Sequence, residues 1–457
     1  MKQADNSIKI EAKAFYGAAI IILVLMIASG ILTRILPAGA YERVISEERT
    51  LIVDGSYHEI ERPNYPFWRW FTAPIEVIFG PDNLTLVVLI IFIGIVGGAI
   101  TILDHAGVMR ALINLLVFRF AKRKYTLIIV LIFFFMASAS FIGIYEEMIP
   151  MIIFIIPIAI SLGWDSLTGL GMSLLPLAFG FAAAVTNPFT IGVAQKIAEL
   201  PLFSGAALRL IFFLVIFLLV SFVVTRHAKR IEQNPEKSIC YREDEALRQK
   251  LLGNNAGIPD NKDKITKGQW RALIWFGSCV ALAILFVLTT VRLPALSDLA
   301  FPMMTLLFLI GGMGGGFFSG LGAAKTGRAF GKGLLNFLPG IVLVLMAYSV
   351  KHIISTGMIM DTILYRTALL ISQAPPMAAA FLVYAATLVM EFFIGSASAK
   401  AFLMMPILTP LADIVGITRQ TVVLAFDFGD GFSNIIFPTN ALLLIALSFT
   451  VDRKSVV

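Results

Sequence analysis

Residues 157–187, PIAISLGWDSLTGLGMSLLPLAFGFAAAVTN, reappear in outline as residues 410–440, PLADIVGITRQTVVLAFDFGDGFSNIIFPTN. Pro157, Ala159, Gly163, Thr168, Phe179, Thr186 and Asn187 recur without a gap as Pro410, Ala412, Gly416, Thr421, Phe432, Thr439 and Asn440, at a constant offset of 253. Seven identities in 31 positions is weak in so apolar a chain, but the flanks agree. Each copy follows an apolar run interrupted by polar residues, Gly143-Ile144-Tyr145-Glu146-Glu147 and Gly395-Ser396-Ala397-Ser398-Ala399-Lys400. Each ends in a polar break beside proline, Thr186-Asn187-Pro188 and Pro438-Thr439-Asn440. Paired interruptions in corresponding halves of an apolar chain point to the binding site of a transporter built from repeats.

The repeats sit in a chain of 457 residues that is 58% hydrophobic and 14% charged, with mean hydropathy +0.88. Apolar runs from Ala14 to Leu36, Leu84 to Leu103, Leu208 to Thr225 and Ala272 to Val291 have the length, about twenty residues, that crosses a hydrocarbon core as a helix. They do not alternate as the strands of a membrane barrel would. The expectation is an all-α polytopic membrane protein in a lipid bilayer. The first run is longer than a signal-peptide core, so it reads as an uncleaved span although Ala38-Gly39-Ala40 looks cleavable. Cys240 and Cys279 suggest no disulfide framework. The net charge of +7 follows membrane topology, with no nucleic-acid partner implied. Residues 226–267 carry ten Lys/Arg, whereas 37–82 carry four beside eight acids. Excess Lys/Arg marks the cytoplasmic side, which puts 226–267 and the N-terminus inside and 37–82 outside. Trp68, Trp70, Trp270 and Trp275 suit the interfacial belts.

Spans are expected over about 14–36 and 84–103, followed by an amphipathic stretch at 108–120 that leads to Arg119, Lys122, Arg123 and Lys124 at the inner surface. Residues 126–162 are too short for two full spans and a loop. They read as a re-entrant hairpin entering from the cytoplasm and turning at Gly143 to Glu147, tolerated where protein or water covers the polar backbone. A span broken at Thr186-Asn187-Pro188 and a span over 205–225 complete the first half. In the second, spans at 271–291, 299–318 and 333–353 precede a hairpin at 376–412, one span more than before the first hairpin. That odd difference inverts the second copy. The domain reading is 1–225 as the first membrane repeat with outer loop 37–82, 226–270 as a basic cytoplasmic linker, and 271–457 as a second, inverted repeat. The counterpart of the span at 205 would start at 458, so the final helix of the second repeat is expected to be missing.

Glu146 and Glu147 carry the sharpest chemical signal, because an ionisable group at mid-membrane costs about 3 kcal/mol or more and is rare without a partner or pathway. Adjacent acids repel, so they share a proton or hold a cation; the alternative is a surface turn. Asp427-Phe428-Gly429-Asp430-Gly431 is the second acidic site, whose glycines permit unwound backbone that offers carbonyls and carboxylates to a cation. The alternative there is a solvated loop. Thr186-Asn187 and Thr439-Asn440 stand beside prolines that free a helix carbonyl, which suits a sodium ion or substrate polar groups; otherwise they glue helices together. Ser396, Ser398 and Lys400 line the second hairpin tip, where Lys400 either receives a substrate carboxylate or is neutralised by Glu391. The expected substrate-binding set is Glu146, Glu147, Asn187, Ser396, Ser398, Lys400, Asp427, Asp430 and Asn440, with a sodium site near Thr186, Asn187, Thr439 and Asn440. The glycine run Gly311 to Gly316 lacks a phosphate-loop context and suits close helix packing. No clustered His/Cys metal site and no nucleophile–base pairing is visible, so neither an enzyme nor a cofactor is expected, only a coupling Na+ or H+.

The run Leu424 to Asn434 with Pro438-Thr439, together with Gly395 to Ala401 and Met405 to Asp413, resembles the YfcC branch of the DcuC-type anaerobic dicarboxylate carriers in the ion-transporter superfamily. Glu146-Glu147, Asn187-Pro188-Phe189 and Val193-Ala194-Gln195 look like the same family. The likeness spans nearly the whole chain and is most specific in the second copy. It implies a bacterial inner-membrane secondary transporter with two hairpins and two broken helices around a midplane site. It also implies a homodimer and one more membrane helix after this chain's last. Members are regarded either as dicarboxylate carriers or as basic amino-acid exchangers of the arginine/ornithine type. Glu146, Glu147, Asp427 and Asp430 outnumber Lys400, which leans to a cationic substrate. The expectation is therefore alternating-access transport of a small charged metabolite, a basic amino acid. The alternative is Na+- or H+-coupled C4-dicarboxylate carriage, and a third reading is an ion channel.

Overall fold

The computed structural model describes residues 12–448 apart from 47–48, 54, 81–82, 110, 113–114, 116–119, 121–122, 253–264, 293–295 and 297–298. Much of the amphipathic stretch expected at 108–120, with Arg119 and Lys122, lies outside the described residues, as does the chain after 448. Among the described residues, seven helices are long and apolar enough to cross a membrane. Helix Ala206–Gln233 shows why they need lipid. It buries Phe213, Val220 and Val224 against the protein and exposes Leu210, Ile211, Leu214, Val215, Leu218 and Phe222. A helix that is apolar all round is stable only where its outer face also meets an apolar medium.

The first hairpin descends as helix Lys124–Ala137, widens into a π-turn over Ser138–Ile142, unwinds at Gly143 to Tyr145 and returns through a 3-10 turn at Glu146–Met148 into helix Ile149–Ser161. Gly143 takes φ +81°, and a Cβ there would collide with the Asn187 side chain. The second hairpin pairs Pro376–Glu391 with Ala397–Val415 around an unwound tip at 394–396. Between and after them run the broken helices, Leu174–Ala182 resuming at Pro188–Gly192, and Arg419–Ser433 resuming at Ala441–Ser448.

Matched positions of the two copies adopt matched local geometry. Gly163 and Gly416 both turn left-handed at the hairpin bases, with φ +89° and +78°. Two residues on, Asp165 caps the next helix by accepting the Thr168 N–H at 2.8 Å, and Thr418 does the same for the Thr421 N–H at 3.1 Å. At the breaks, Asn187 Oδ1 accepts the N–H groups of Phe189 (2.9 Å) and Thr190 (3.3 Å), and Asn440 Oδ1 accepts that of Leu443 (3.0 Å). A helix that restarts away from water needs such a side chain for its first N–H groups. Phe179 and its counterpart Phe432 meet edge to face at 5.5 Å, where the two broken helices cross.

Two expectations are corrected. Asp427 to Gly431 is not unwound: it lies inside the continuous helix Arg419–Ser433. Its glycines serve close approach instead. A Cβ on Gly429 would sit 2.6 Å from the Tyr384 carbonyl oxygen, and one on Gly431 would collide with the Ala182 backbone. Helix continuity is kept because packing offsets the roughly 1 kcal/mol that glycine costs in a helix. The basic stretch 226–270 is more than a linker. Its described part continues the preceding helix to Gln233 and forms helix Tyr241–Leu252, which packs against the returning arm of the first hairpin. There Asp165 accepts from Ser238 Oγ at 2.7 Å and meets His227 Nε2 at 3.0 Å, while Asp244 accepts the Ser166 N–H at 2.7 Å. Burial raises and hydrogen bonds from His227, Thr168 and Ser238 lower the Asp165 carboxyl, with the net result about 2. The loop at 37–82 holds two short antiparallel strand pairs and helix Arg69–Glu76, and it docks through Arg43 to Asp361 at 2.8 Å. Trp70 is buried against Gly30.

The glycine run lies within helix Ala300–Phe318, where a Cβ on Gly312 would press the Ala99 backbone at 2.6 Å and one on Gly316 the Thr326 side chain. Close packing is its role.

Candidate functional site

Lys400 is the centre of the site. It begins the second arm of the second hairpin, is 0% exposed, and donates from Nζ to Glu391 Oε2 and, at 2.7 Å, to Asp430 Oδ1. Glu391 ends the first arm and Asp430 lies on the broken helix, so three segments converge on one ammonium group. Each acid keeps one buried oxygen without a partner, Glu391 Oε1 and Asp430 Oδ2. From the first hairpin tip, Glu146 comes within electrostatic range of both acids, and the Tyr145 hydroxyl, buried and unpartnered, is within range of all three. Two carboxyls thus bind one lysine, and a third lies within electrostatic range of both acids. Unused acceptor oxygens in a protein interior call for a donor or a cation.

The rest of the expected set divides. Glu147 stays within electrostatic range of Glu146; its Oε2 accepts the Tyr145 N–H at 3.1 Å, and it lines a largely apolar cavity with Ile144, Met148, Val280, Met304 and Phe308. Ser396 is exposed and caps helix Ala397–Val415 through the Ala399 N–H at 3.5 Å; Ser398 is half-buried in the same first turn. Asn187 and Asn440 are helix caps, and their amide nitrogens bind Ala139 O (3.3 Å) and Asn434 Oδ1 (2.6 Å). Thr186 donates to Phe141 O at 3.0 Å, tying the first break to the hairpin beside it, and Ser140 adds a bond to Ala183 O at 2.7 Å. Thr439 Oγ1 is buried and unpartnered. Asp427 is fully buried with both oxygens unpartnered, one turn before Asp430. Among the described residues, no group of three or more His, Cys, Asp or Glu side chains is arranged to hold a metal ion.

Tyr145, Glu391 and Arg209 were not in the expected binding set. Glu391 carried a visible signal, an acid closing an apolar run nine residues before Lys400, and Arg209 carried another, a cation inside an apolar span. Neither signal named its partner.

A profile of the family described as C4-dicarboxylate anaerobic carrier, DcuC, matches residues 16–450. The chain belongs to that transporter family. A protein of Escherichia coli (strain K12) bearing the provisional name basic amino acid antiporter YfcC is 29% identical to this DcuC member, over 94% of this chain and 89% of its own length. Among solved structures, MtrF of Neisseria gonorrhoeae, of a class of antimetabolite efflux pumps, is 18% identical, covering 95% of this chain and 88% of its own at TM-score 0.40. The YdaH transporter of Alcanivorax borkumensis is also 18% identical, covering 95% and 89% at TM-score 0.35.

Proposed function

We propose that this DcuC-family transporter exchanges a small cationic metabolite, a basic amino acid, by alternating exposure of the Lys400 site. The carrying observation is the charge balance. Glu391 and Asp430 engage the Lys400 ammonium, Glu146 lies within electrostatic range of both acids, and two carboxyl oxygens stay open. A guanidinium or ammonium group would satisfy those oxygens with charge-assisted bonds, whereas a dicarboxylate would meet net negative charge. Glu146 holds the cationic end from the first hairpin, and Asn187 and Asn440 keep the breaks shaped around it. The name of the Escherichia coli relative points the same way. The family's own description favours a C4-dicarboxylate, which Lys400 would bind only after releasing its acids.

In this reading the two copies are inverted, and the chain sits in the bacterial inner membrane with its N-terminus in the cytoplasm. The first hairpin packs on helix Tyr241–Leu252 of the lysine- and arginine-rich stretch, whereas the second packs on strand Arg49–Ile52 of the acid-rich loop. If charge places those two stretches on opposite sides, the hairpins enter from opposite sides.

Counterflow in proteoliposomes tests the substrate. Liposomes loaded with unlabelled L-arginine should take up labelled L-arginine, and Asp430→Asn should weaken apparent affinity by about 30-fold or more, since losing one member of a buried charge pair costs about 2–5 kcal/mol. Saturable succinate counterflow with none for arginine or ornithine would reject the proposal.

A further inference from the structure

Asp427 stands outside the hydrogen bonds of the Lys400 cluster. It is 0% exposed, and neither carboxyl oxygen has a hydrogen-bond partner. Beside it, outside bonding geometry, are the Ala184 amide and the Thr190 hydroxyl, itself buried and unpartnered; both come from the break of the other copy. Two charged groups are in reach, Asp430 on the same helix and Arg209 on helix Ala206–Gln233. Arg209 is 3% exposed. It donates to Val185 O at 3.1 Å and Ser204 O at 2.9 Å, and its Nε has no partner. A carboxyl and a guanidinium therefore lie within electrostatic range of each other beside the first break, each with unused hydrogen-bonding capacity and neither bonded to the other.

The arrangement is that of a two-state contact. An ionised carboxylate with no partner in a protein interior costs several kcal/mol, while a protonated acid costs far less. The unbonded state seen here is therefore the one in which Asp427 carries a proton. Sodium fits poorly, since Asp427 and Thr190 supply few oxygens and a fixed guanidinium lies in range. We propose that Asp427 is the proton-carrying site of this transporter, and that Arg209 is the counter-ion it engages when the proton leaves. The O–H bond of Asp427 breaks and the proton passes to water; the carboxylate draws Arg209, which stays protonated, away from the Val185 carbonyl. Because Val185 belongs to the break, proton release frees a backbone acceptor where the helix is interrupted. Proton binding and the shape of the break are thus coupled through one element with two arrangements. The proton would then replace the counter-substrate in the exchange cycle, which rests on the transporter reading above.

Two measurements test it. Infrared difference spectra of the full chain in liposomes need no substrate, so they stand apart from the basic amino-acid reading. Wild type should show a buried carboxylic-acid band that is absent in Asp427→Asn and present in Asp427→Glu, and Arg209→Gln should move its titration to higher pH. An identical band in Asp427→Asn overturns the proton site, and an unmoved titration in Arg209→Gln overturns the counter-ion. In transport, Asp427→Asn should lose the dependence of labelled L-arginine uptake on an imposed pH gradient, and Asp427→Glu should restore it. Equal pH-driven uptake by Asp427→Asn and wild type overturns the proposal, as does failure of a monodisperse Asp427→Glu to restore it.

Discussion

Lys400→Met removes the cation bonded to Glu391 and Asp430 and leaves both acids buried with Glu146 in range. At 2.7 Å and an effective dielectric near 20, the attraction between Lys400 and Asp430 alone is about 6 kcal/mol. Desolvation of the buried groups opposes it, and taking one member from such a pair costs about 3–5 kcal/mol net. Lys400→Met should therefore lower the thermal midpoint of the purified protein, and by more in alkaline than in acid buffer, because the abandoned acids must take up protons. The triple variant Lys400→Met, Glu391→Gln, Asp430→Asn carries no buried charge at these positions. It should regain most of the loss, since neutral replacement of a buried ion triad is often neutral or stabilising. Midpoints from heating followed by fluorescence-detected size exclusion, in both buffers, decide the matter. A single variant that melts like wild type in both, or a triple variant no better than the single, would refute the reasoning.

Asp244 offers a test outside the membrane. Burial first, and then the charge of Asp165, push its carboxyl from 3.8 up to about 6, against the bond from Ser166. A folded-state value above the unfolded one means the fold binds the proton more tightly. Stability is then fully present below the unfolded value and is lost as pH rises to about 6. The loss is about 3 kcal/mol for about two units. Asp244→Asn keeps an acceptor for the Ser166 N–H and should raise the midpoint at neutral pH, with the gain vanishing in acid; no gain at neutral pH would contradict this. Gly431→Ala should force the two broken helices apart at Ala182, at about 1–3 kcal/mol. It should slow counterflow more than Gly277→Ala, where a Cβ meets nothing within 4 Å; equal rates would deny that this crossing matters.

Much of the fold was legible in the residues. Bilayer thickness fixes the length of an apolar helix, so the spans could be read from runs such as Leu208 to Thr225. The breaks at Asn187 and Asn440 were legible as polar pairs beside proline in apolar runs, but that both side chains cap the restarting helices came only from the structure. Glycines were less plain. Gly429 and Gly431 suggested unwinding, yet they allow close approach within an intact helix, and a glycine alone does not distinguish these uses.

The site itself was legible only in part. Composition and position identified the acids and Lys400 as anomalies for a bilayer. Which of them meet was decided by the packing of segments distant in sequence. Glu391 reaches Lys400 across a hairpin tip and Asp430 from a helix thirty residues on, while Glu146, from the other half of the chain, comes within range of both acids. Glu146 and Glu147 read as a pair and lie within electrostatic range of each other, but only Glu146 also comes within range of Glu391 and Asp430, while Glu147 lines an apolar cavity. The sequence by itself determined a membrane-spanning chain with two related, interrupted halves, because solvent and local capping act over a few residues. Only the tertiary structure decided charge pairing, because Coulomb interactions depend on distances through space that sequence spacing does not set.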